Sequence, residues 1–204
     1  MINMDPARTL LGYLLRHGEL NLEDAWDGWG NYDLSPEGVQ SAEKAAQWLS
    51  FERIGRIVSS DVPRALHTAQ IIMDRCNVAC PFLATDPNLR PLMVAGFTGQ
   101  KKTPERLKEF EYYLTHRNIP IPGGESMDQH HDRVQVIASY LCSPYEALPT
   151  VVSCHNSTIK SFMGIPDVKE AVMPGGLIAV YMTEKGELEF DAVLGALEPE
   201  KGVS

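Results

Sequence analysis

The chain has 204 residues, 44% hydrophobic and 22% charged, with 27 acidic against 18 basic side chains and a formal net charge of −9. That length supports one domain with a sizeable core. The acidic balance (pI near 5.1) argues against a general nucleic-acid or anionic-membrane binder, because no basic face exists to release counterions. Any anionic ligand must be held by a few local cations. No apolar run reaches membrane-spanning length, and Met1–Asp5 lacks a basic stretch followed by an apolar one. The four cysteines (Cys76, Cys80, Cys142, Cys154) make no Cys-x-x-Cys pair and no zinc spacing. They fit reduced, mostly buried thiols, so the expectation is a cytoplasmic protein without a membrane partner.

Residues 1–8 read as a loose leader. Leu10, Leu11, Tyr13, Leu14 and Leu15 then make a buried strand that ends abruptly in Arg16-His17-Gly18-Glu19. A cation, an imidazole and a glycine at the carboxyl end of a buried strand suit a ligand site. Alone, the tripeptide fits a turn with an exposed arginine and a packed histidine equally well. Glu19 to Leu34 is an irregular loop carrying Trp26-Asp27-Gly28-Trp29-Gly30.

Ser35-Pro36-Glu37 opens a helix to about Ser50, with Val39, Ala42, Ala46 and Leu49 as its apolar stripe. A short strand is expected over Ile54–Val58, then a helix over Val62–Arg75 capped by Asp61, and a strand near Phe82–Ala84. Residues 86–102 are irregular. Thr103-Pro104-Glu105 begins a helix ending near His116, and Ile119–Gly124 is a loop. Ser126 caps a helix to about Cys142 with Val134, Ile137, Ala138 and Leu141 as its stripe. Thr150–Ser153 is a strand, His155 opens a short helix to about Met163, and a hairpin over Leu177–Met182 and Leu188–Val193 closes the chain. Strands alternating with helices predict a three-layer α/β/α sandwich with a mixed, mostly parallel sheet. The closing hairpin leaves a sheet edge on which a homodimer could pair.

In such a sheet three strand ends offer polar groups to one place: Arg16 and His17, Ser59-Ser60-Asp61 with Arg64, and His155. At these residues the chain resembles the histidine phosphatase superfamily, in its phosphoglycerate-mutase-like branch. The resemblance rests on Leu14-Leu15-Arg16-His17-Gly18-Glu19, Trp26-Asp27-Gly28-Trp29, Leu34-Ser-Pro-Glu-Gly38, Ser59-Ser60-Asp61-x-x-Arg64-Ala65-x-x-Thr68-Ala69, Pro122-Gly-Gly-Glu125-Ser126 and Val151-Val-Ser-Cys-His155. It spans residue 10 to about 163. It implies one histidine phosphatase domain over 1–204, with 86–125 as the substrate-specificity insertion.

The resemblance also implies His17 as nucleophile and Arg16, Arg64 and His155 as phosphate cradle, with Asn21 a further donor and Asp27 and Gly28 lining the substrate pocket. The expected activity is metal-independent and cofactor-free hydrolysis of a small phosphomonoester through phospho-His17. The alternatives are a phosphoglycerate-mutase-type transfer, a protein phosphohistidine phosphatase, and a weakly active phospho-ligand-binding relative. The chemistry asks for these residue types: a neutral imidazole attacks phosphorus, and planar guanidinium forks match the non-bridging oxygens.

One departure matters. Pro91 stands where the family's proton-donating glutamate usually stands, and proline cannot donate a proton. Asp27 is the first candidate for a replacement acid, against the plainer reading of an exposed loop carboxylate. Lesser departures are a shorter loop after His17, Asn156 after the second histidine, and Lys160 where arginine is common, expected to be solvated or to reach a distal substrate anion. His130-His131-Asp132 is expected on a solvated face, since adjacent histidines on a helix point apart. Cys154, beside His155 on a strand, is expected to be a buried thiol.

Overall fold

The structure is a computed structural model that describes residues 8–79, 83–142, 148–165, 170–195 and 197–199. Residues 1–7 of the expected leader, Cys80 and the start of the third expected strand at Phe82 lie outside them, while Arg8, the leader's last residue, already opens the first strand. The first strand, β1 (Arg8–Arg16), is followed by α1 (Pro36–Leu49), β2 (Arg56–Ser59), α2 (Pro63–Arg75) and β3 (Leu83–Thr85). After two single 3₁₀ turns come α3 (Pro104–Thr115), α4 (Met127–Val134), α5 (Val136–Leu141), β4 (Thr150–Cys154) and α6 (Asn156–Phe162). The remaining strands are β5 (Glu170–Val172), β6 (Leu177–Thr183), β7 (Leu188–Leu194) and β8 (Leu197–Pro199).

Six strands form one sheet in the order β3-β2-β4-β1-β6-β7, and β5 pairs with β8 apart from it. β3, β2, β4 and β1 run parallel, β6 runs antiparallel to β1, and β7 runs antiparallel to β6. The strands are apolar on both faces because helices cover both. Tyr13, Leu15, Ile57, Val151, Leu177 and Ala179 meet Ala45, Ala46 and Leu49 of α1 and Ala69 and Ile72 of α2. Leu14, Val58, Val152, Cys154, Ile178 and Val180 meet Val134, Ile137, Leu141, Ile159 and Phe162 of α4, α5 and α6. This is the expected three-layer sandwich. A third apolar cluster ties the loop after β1 to the irregular segment, with Trp26 against Leu92, Val94, Phe97, Ile121 and Met127, and Leu107, Phe110 and Tyr113 of α3 packed around it.

Helix starts follow their sequence signals. The Ser35 side chain accepts from the Gly38 N–H (3.0 Å), Thr103 caps α3, and Ser126 makes a reciprocal capping box with Gln129. Three further boundaries differ. Asp61 does not cap α2: Val62 takes that place in extended backbone with no side-chain cap bond, and both Asp61 oxygens go to Arg90. The second strand begins at Arg56 rather than Ile54, which instead bridges to Val78. The helix expected from Ser126 to Cys142 breaks at Gln135, where tight three-residue hydrogen bonds (Gln135 N–H to Asp132 O, Ala138 N–H to Gln135 O) separate α4 from α5.

The site is set by register. Arg16 stands opposite Cys154 and Ser59 opposite Ser153, so β1, β4 and β2 end side by side. The ladder runs one residue beyond each end, through His17 N–H to Cys154 O (3.1 Å) and Ser60 N–H to Ser153 O (2.9 Å). Gly18 lets the chain turn away under α1: a Cβ there would lie 2.2 Å from the Gly38 carbonyl oxygen.

Candidate active site

His17 lies at the carboxyl end of β1 and is 3% exposed. Its Nδ1 is 2.7 Å from the Gly18 carbonyl oxygen, which can only accept, so Nδ1 carries the proton. Nε2 accepts from the Arg64 Nε–H (3.3 Å). Both contacts select one tautomer, with the lone pair on Nε2 facing the cluster. Burial, then the Arg64 and Arg16 cations, hold the imidazole well below its ordinary value. His17 is therefore neutral.

Arg64 comes from the first turn of α2 and is fully buried. Its Nη1 donates to Gly30 O (3.1 Å) and its Nη2 to Gly28 O (2.6 Å), with Asp27 Oδ2 3.2 Å from the same Nη2. The Trp-Asp-Gly-Trp-Gly loop thus folds around one guanidinium. Arg16 is half-buried and donates from Nη1 to Val172 O (2.5 Å). His155 is 2% exposed, its ring centroid 5.1 Å from that of His17, with Nε2 3.0 Å from Ser60 Oγ. Burial first, then Arg64, keep it neutral as well. Thr68 Oγ1, one turn beyond Arg64, accepts from the Gly18 N–H (3.1 Å) and fixes the loop that follows His17.

Of the residues expected in the site, His17, Arg64, His155, Asp27 and Gly28 converge, and Arg16 flanks them. Asn21 is exposed, and no hydrogen bond joins it to these residues among those described. Cys154 is a buried thiol, pushed up to about 12 by its burial. His130 is not on a solvated face. It is fully buried, and its burial beside Arg133 and His131 brings it down to about 3. Lys160 is not solvated either, at 8% exposed. His131, half-buried, has its Nδ1 3.0 Å from the Ser161 carbonyl oxygen.

Pro91 sits under a network of contacts that sequence reasoning does not reach. Its carbonyl accepts from Trp29 Nε1 (2.8 Å) and Arg133 Nη2 (3.1 Å). Arg90 stacks over the Trp29 ring at 4.6 Å while holding Asp61 through two bonds of 2.7 and 2.5 Å. Arg133 also grips Glu125, whose Oε1 takes the Met93 N–H as well. Asp61 and Glu125 are thereby committed to structural partners.

Three buried neutral histidines make stability depend on pH. An unfolded imidazole takes up a proton below about 6.5, whereas His17, His130 and His155 stay neutral in the fold well below that. The unfolded state then binds more protons, so the stabilisation is present above the unfolded value and is lost as pH falls toward the folded ones. The loss reaches about 1.4 kcal/mol per pH unit for each histidine. Melting temperature should fall steadily from pH 7 to 4.5, and His130→Leu should flatten the decline. A melting temperature constant from pH 7 to 5 would contradict this.

Comparison with known proteins agrees with the geometry. Residues 12–166 match the family model of the histidine phosphatase superfamily, branch 1. The chain is 33% identical over 157 residues to phosphoglycerate mutase-like protein 4 of Arabidopsis thaliana, covering 72% of this chain and 67% of that protein. It is 33% identical over 169 residues to a probable phosphoglycerate mutase of Salmonella choleraesuis, covering 76% and 75%. Among solved structures, a mycobacterial glucosyl-3-phosphoglycerate phosphatase superposes with a TM-score of 0.78 at 18% identity, covering 93% of this chain and 99% of that one. A phosphoglycerate mutase from Thermus thermophilus does so with 0.65 at 25% identity, covering 91% and 98%.

Proposed function

The chain belongs to branch 1 of the histidine phosphatase superfamily, and on that footing we propose that it is a phosphatase acting on a small phosphomonoester through a phosphohistidine on His17. The observation that carries this reading is the single tautomer of a buried, neutral His17 whose Nε2 lone pair is held by Arg64 Nε–H. A module that only bound phosphate would be better served by a protonated imidazole. Nε2 attacks phosphorus as the bond to the leaving oxygen breaks, and water then takes the phosphoryl group from nitrogen. Arg16, Arg64 and the polar edge of His155 surround the place where charge grows on the non-bridging oxygens. None of these steps uses a metal ion. Residues 86–125 shape the substrate pocket in this reading, supported by the packing of Trp26 against Phe97 and Phe110 (ring centroids 5.0 and 5.4 Å).

A second reading, a phosphatase for phosphohistidine on a protein, is favoured by Pro91, because an imidazole leaving group needs little protonation. The mutase reading is weakened by the same residue. The test is phosphate release from an aryl phosphate in the presence of EDTA. We expect turnover that EDTA leaves unchanged. No turnover, or turnover abolished by EDTA and restored by a divalent cation, would overturn the proposal.

A further inference from the structure

Asp27 is the acidic group of the cradle that phosphate binding alone does not use. Its Oδ2 lies 4.0 Å from His17 Nε2 and 3.2 Å from Arg64 Nη2, and its side chain is 37% exposed. It therefore touches both the nucleophile's surroundings and solvent. Arg64 spends its other contacts on His17 Nε2 and on the carbonyls of Gly28 and Gly30. Those carbonyls belong to a turn closed by Gly30 N–H to Asp27 O (2.8 Å). The other Asp27 oxygen, Oδ1, accepts from the Gly28 N–H (3.0 Å) within that turn, yet of the acceptors on Arg64 Nη2 the carboxylate is the one whose release leaves the closing Gly30–Asp27 backbone bond intact. A phosphoryl oxygen seeking a guanidinium N–H thus competes with this carboxylate for the same donor.

Two further observations bear on what the displaced carboxyl does. The family's usual proton-donor position holds Pro91, which is buried with its carbonyl tied to Trp29 and Arg133. The nearby carboxylates Asp61 and Glu125 are bound to Arg90 and Arg133. A poor leaving group requires a proton, and of these three carboxyl groups Asp27, once off Arg64, is the one without an arginine partner.

We propose that Asp27 is exchanged for a phosphoryl oxygen on Arg64 when substrate binds and, protonated, serves as the general acid of the reaction. This rests on the phosphohistidine reading above. In the first step the Nε2–P bond forms and the P–O bond breaks. Its electron pair goes to the leaving oxygen, which takes the Asp27 proton and departs as the alcohol. In the second step the Asp27 carboxylate takes a proton from water as the water oxygen bonds to phosphorus. The N–P pair returns to Nε2, so inorganic phosphate, neutral His17 and protonated Asp27 result.

The test compares wild type with Asp27→Asn, which keeps size and shape, on aryl and alkyl phosphates, with inorganic phosphate as competitive inhibitor. We expect Asp27→Asn to lose roughly 10²–10⁴-fold in kcat on alkyl phosphates and far less on aryl ones. Inorganic phosphate should inhibit the variant more tightly, because the competing carboxylate is gone, and Asp27→Glu should recover part of the alkyl turnover. Turnover and phosphate affinity then move in opposite directions, which a merely structural role would not produce. Equal losses on both substrates, unchanged kinetics, weaker phosphate inhibition, or a wild type that hydrolyses aryl phosphates alone would each overturn the assignment. If wild type accumulates no phosphohistidine from an aryl phosphate, the underlying reading fails. If it does and Asp27→Asn behaves as wild type, only the role of Asp27 fails.

Discussion

His17→Ala is expected to remove phosphatase turnover by roughly 10⁴–10⁶-fold, as loss of a nucleophile does in enzymes whose residues act as a unit. The fold should survive. The imidazole makes one bond to its neighbour's carbonyl and takes one from Arg64, so its loss leaves one buried donor and one carbonyl acceptor unmet, at about 1–3 kcal/mol each. Arg16, Arg64 and His155 remain, and inorganic phosphate should still bind. Loss of activity with retained melting transition and retained phosphate binding separates a missing nucleophile from a damaged cradle. Turnover within a few-fold of wild type would place the attacking group elsewhere.

Arg64→Ala is expected to damage chemistry and stability together. The guanidinium is fully buried and joins α2 to His17, Gly28, Gly30 and Asp27. Removing it leaves two loop carbonyls and a carboxylate without their cation. Leaving the Gly28 and Gly30 carbonyls unmet costs about 1–3 kcal/mol each, while the half-exposed Asp27 carboxylate can turn to solvent and adds little; in a chain of this size the sum lowers the melting temperature by roughly 10 °C. Loss of a preorganised donor to the transferring phosphoryl group adds about 10²–10³-fold in kcat. Arg64→Lys should restore charge without the fork, recovering part of the stability and little of the activity. Calorimetry and initial rates on one aryl phosphate check both. A melting temperature within a degree or two of wild type would show that the loop does not depend on this residue.

Much of this is legible in the chain because the signals are local. Ser35-Pro36, Thr103-Pro104 and Ser126 announce helix starts through caps that reach three residues ahead. Apolar residues on both faces of Tyr13–Leu15 and Val151–Cys154 announce strands covered twice. The cradle is readable because strand ends in a parallel sheet gather residues far apart in sequence. Other features have no local signal: Asp61 looks like a helix cap, yet its partner is Arg90, 29 positions away. The Trp29 platform depends on the same long-range closure, since Arg90 and Arg133 reach it from different elements. His130 does carry a local signal, and its polar type hides it. It lies four residues before Val134 and seven before Ile137, on the same helical face, so the stripe points inward at it. The His-His pair suggests solvent instead. Asp27 can be placed in the pocket by resemblance, but its 3.2 Å contact with Arg64 follows from a loop that folds around a guanidinium contributed by α2.

The most direct measurement is rapid alkaline quench of wild type turning over an aryl phosphate, followed by peptide mass spectrometry. Alkali preserves a phosphoramidate. A phosphoryl group is expected on His17, formed faster than turnover, lost once the substrate is exhausted, and missing from His17→Ala. Steady turnover with His17 unmodified at every time point, or with the phosphoryl group on another side chain, would contradict it.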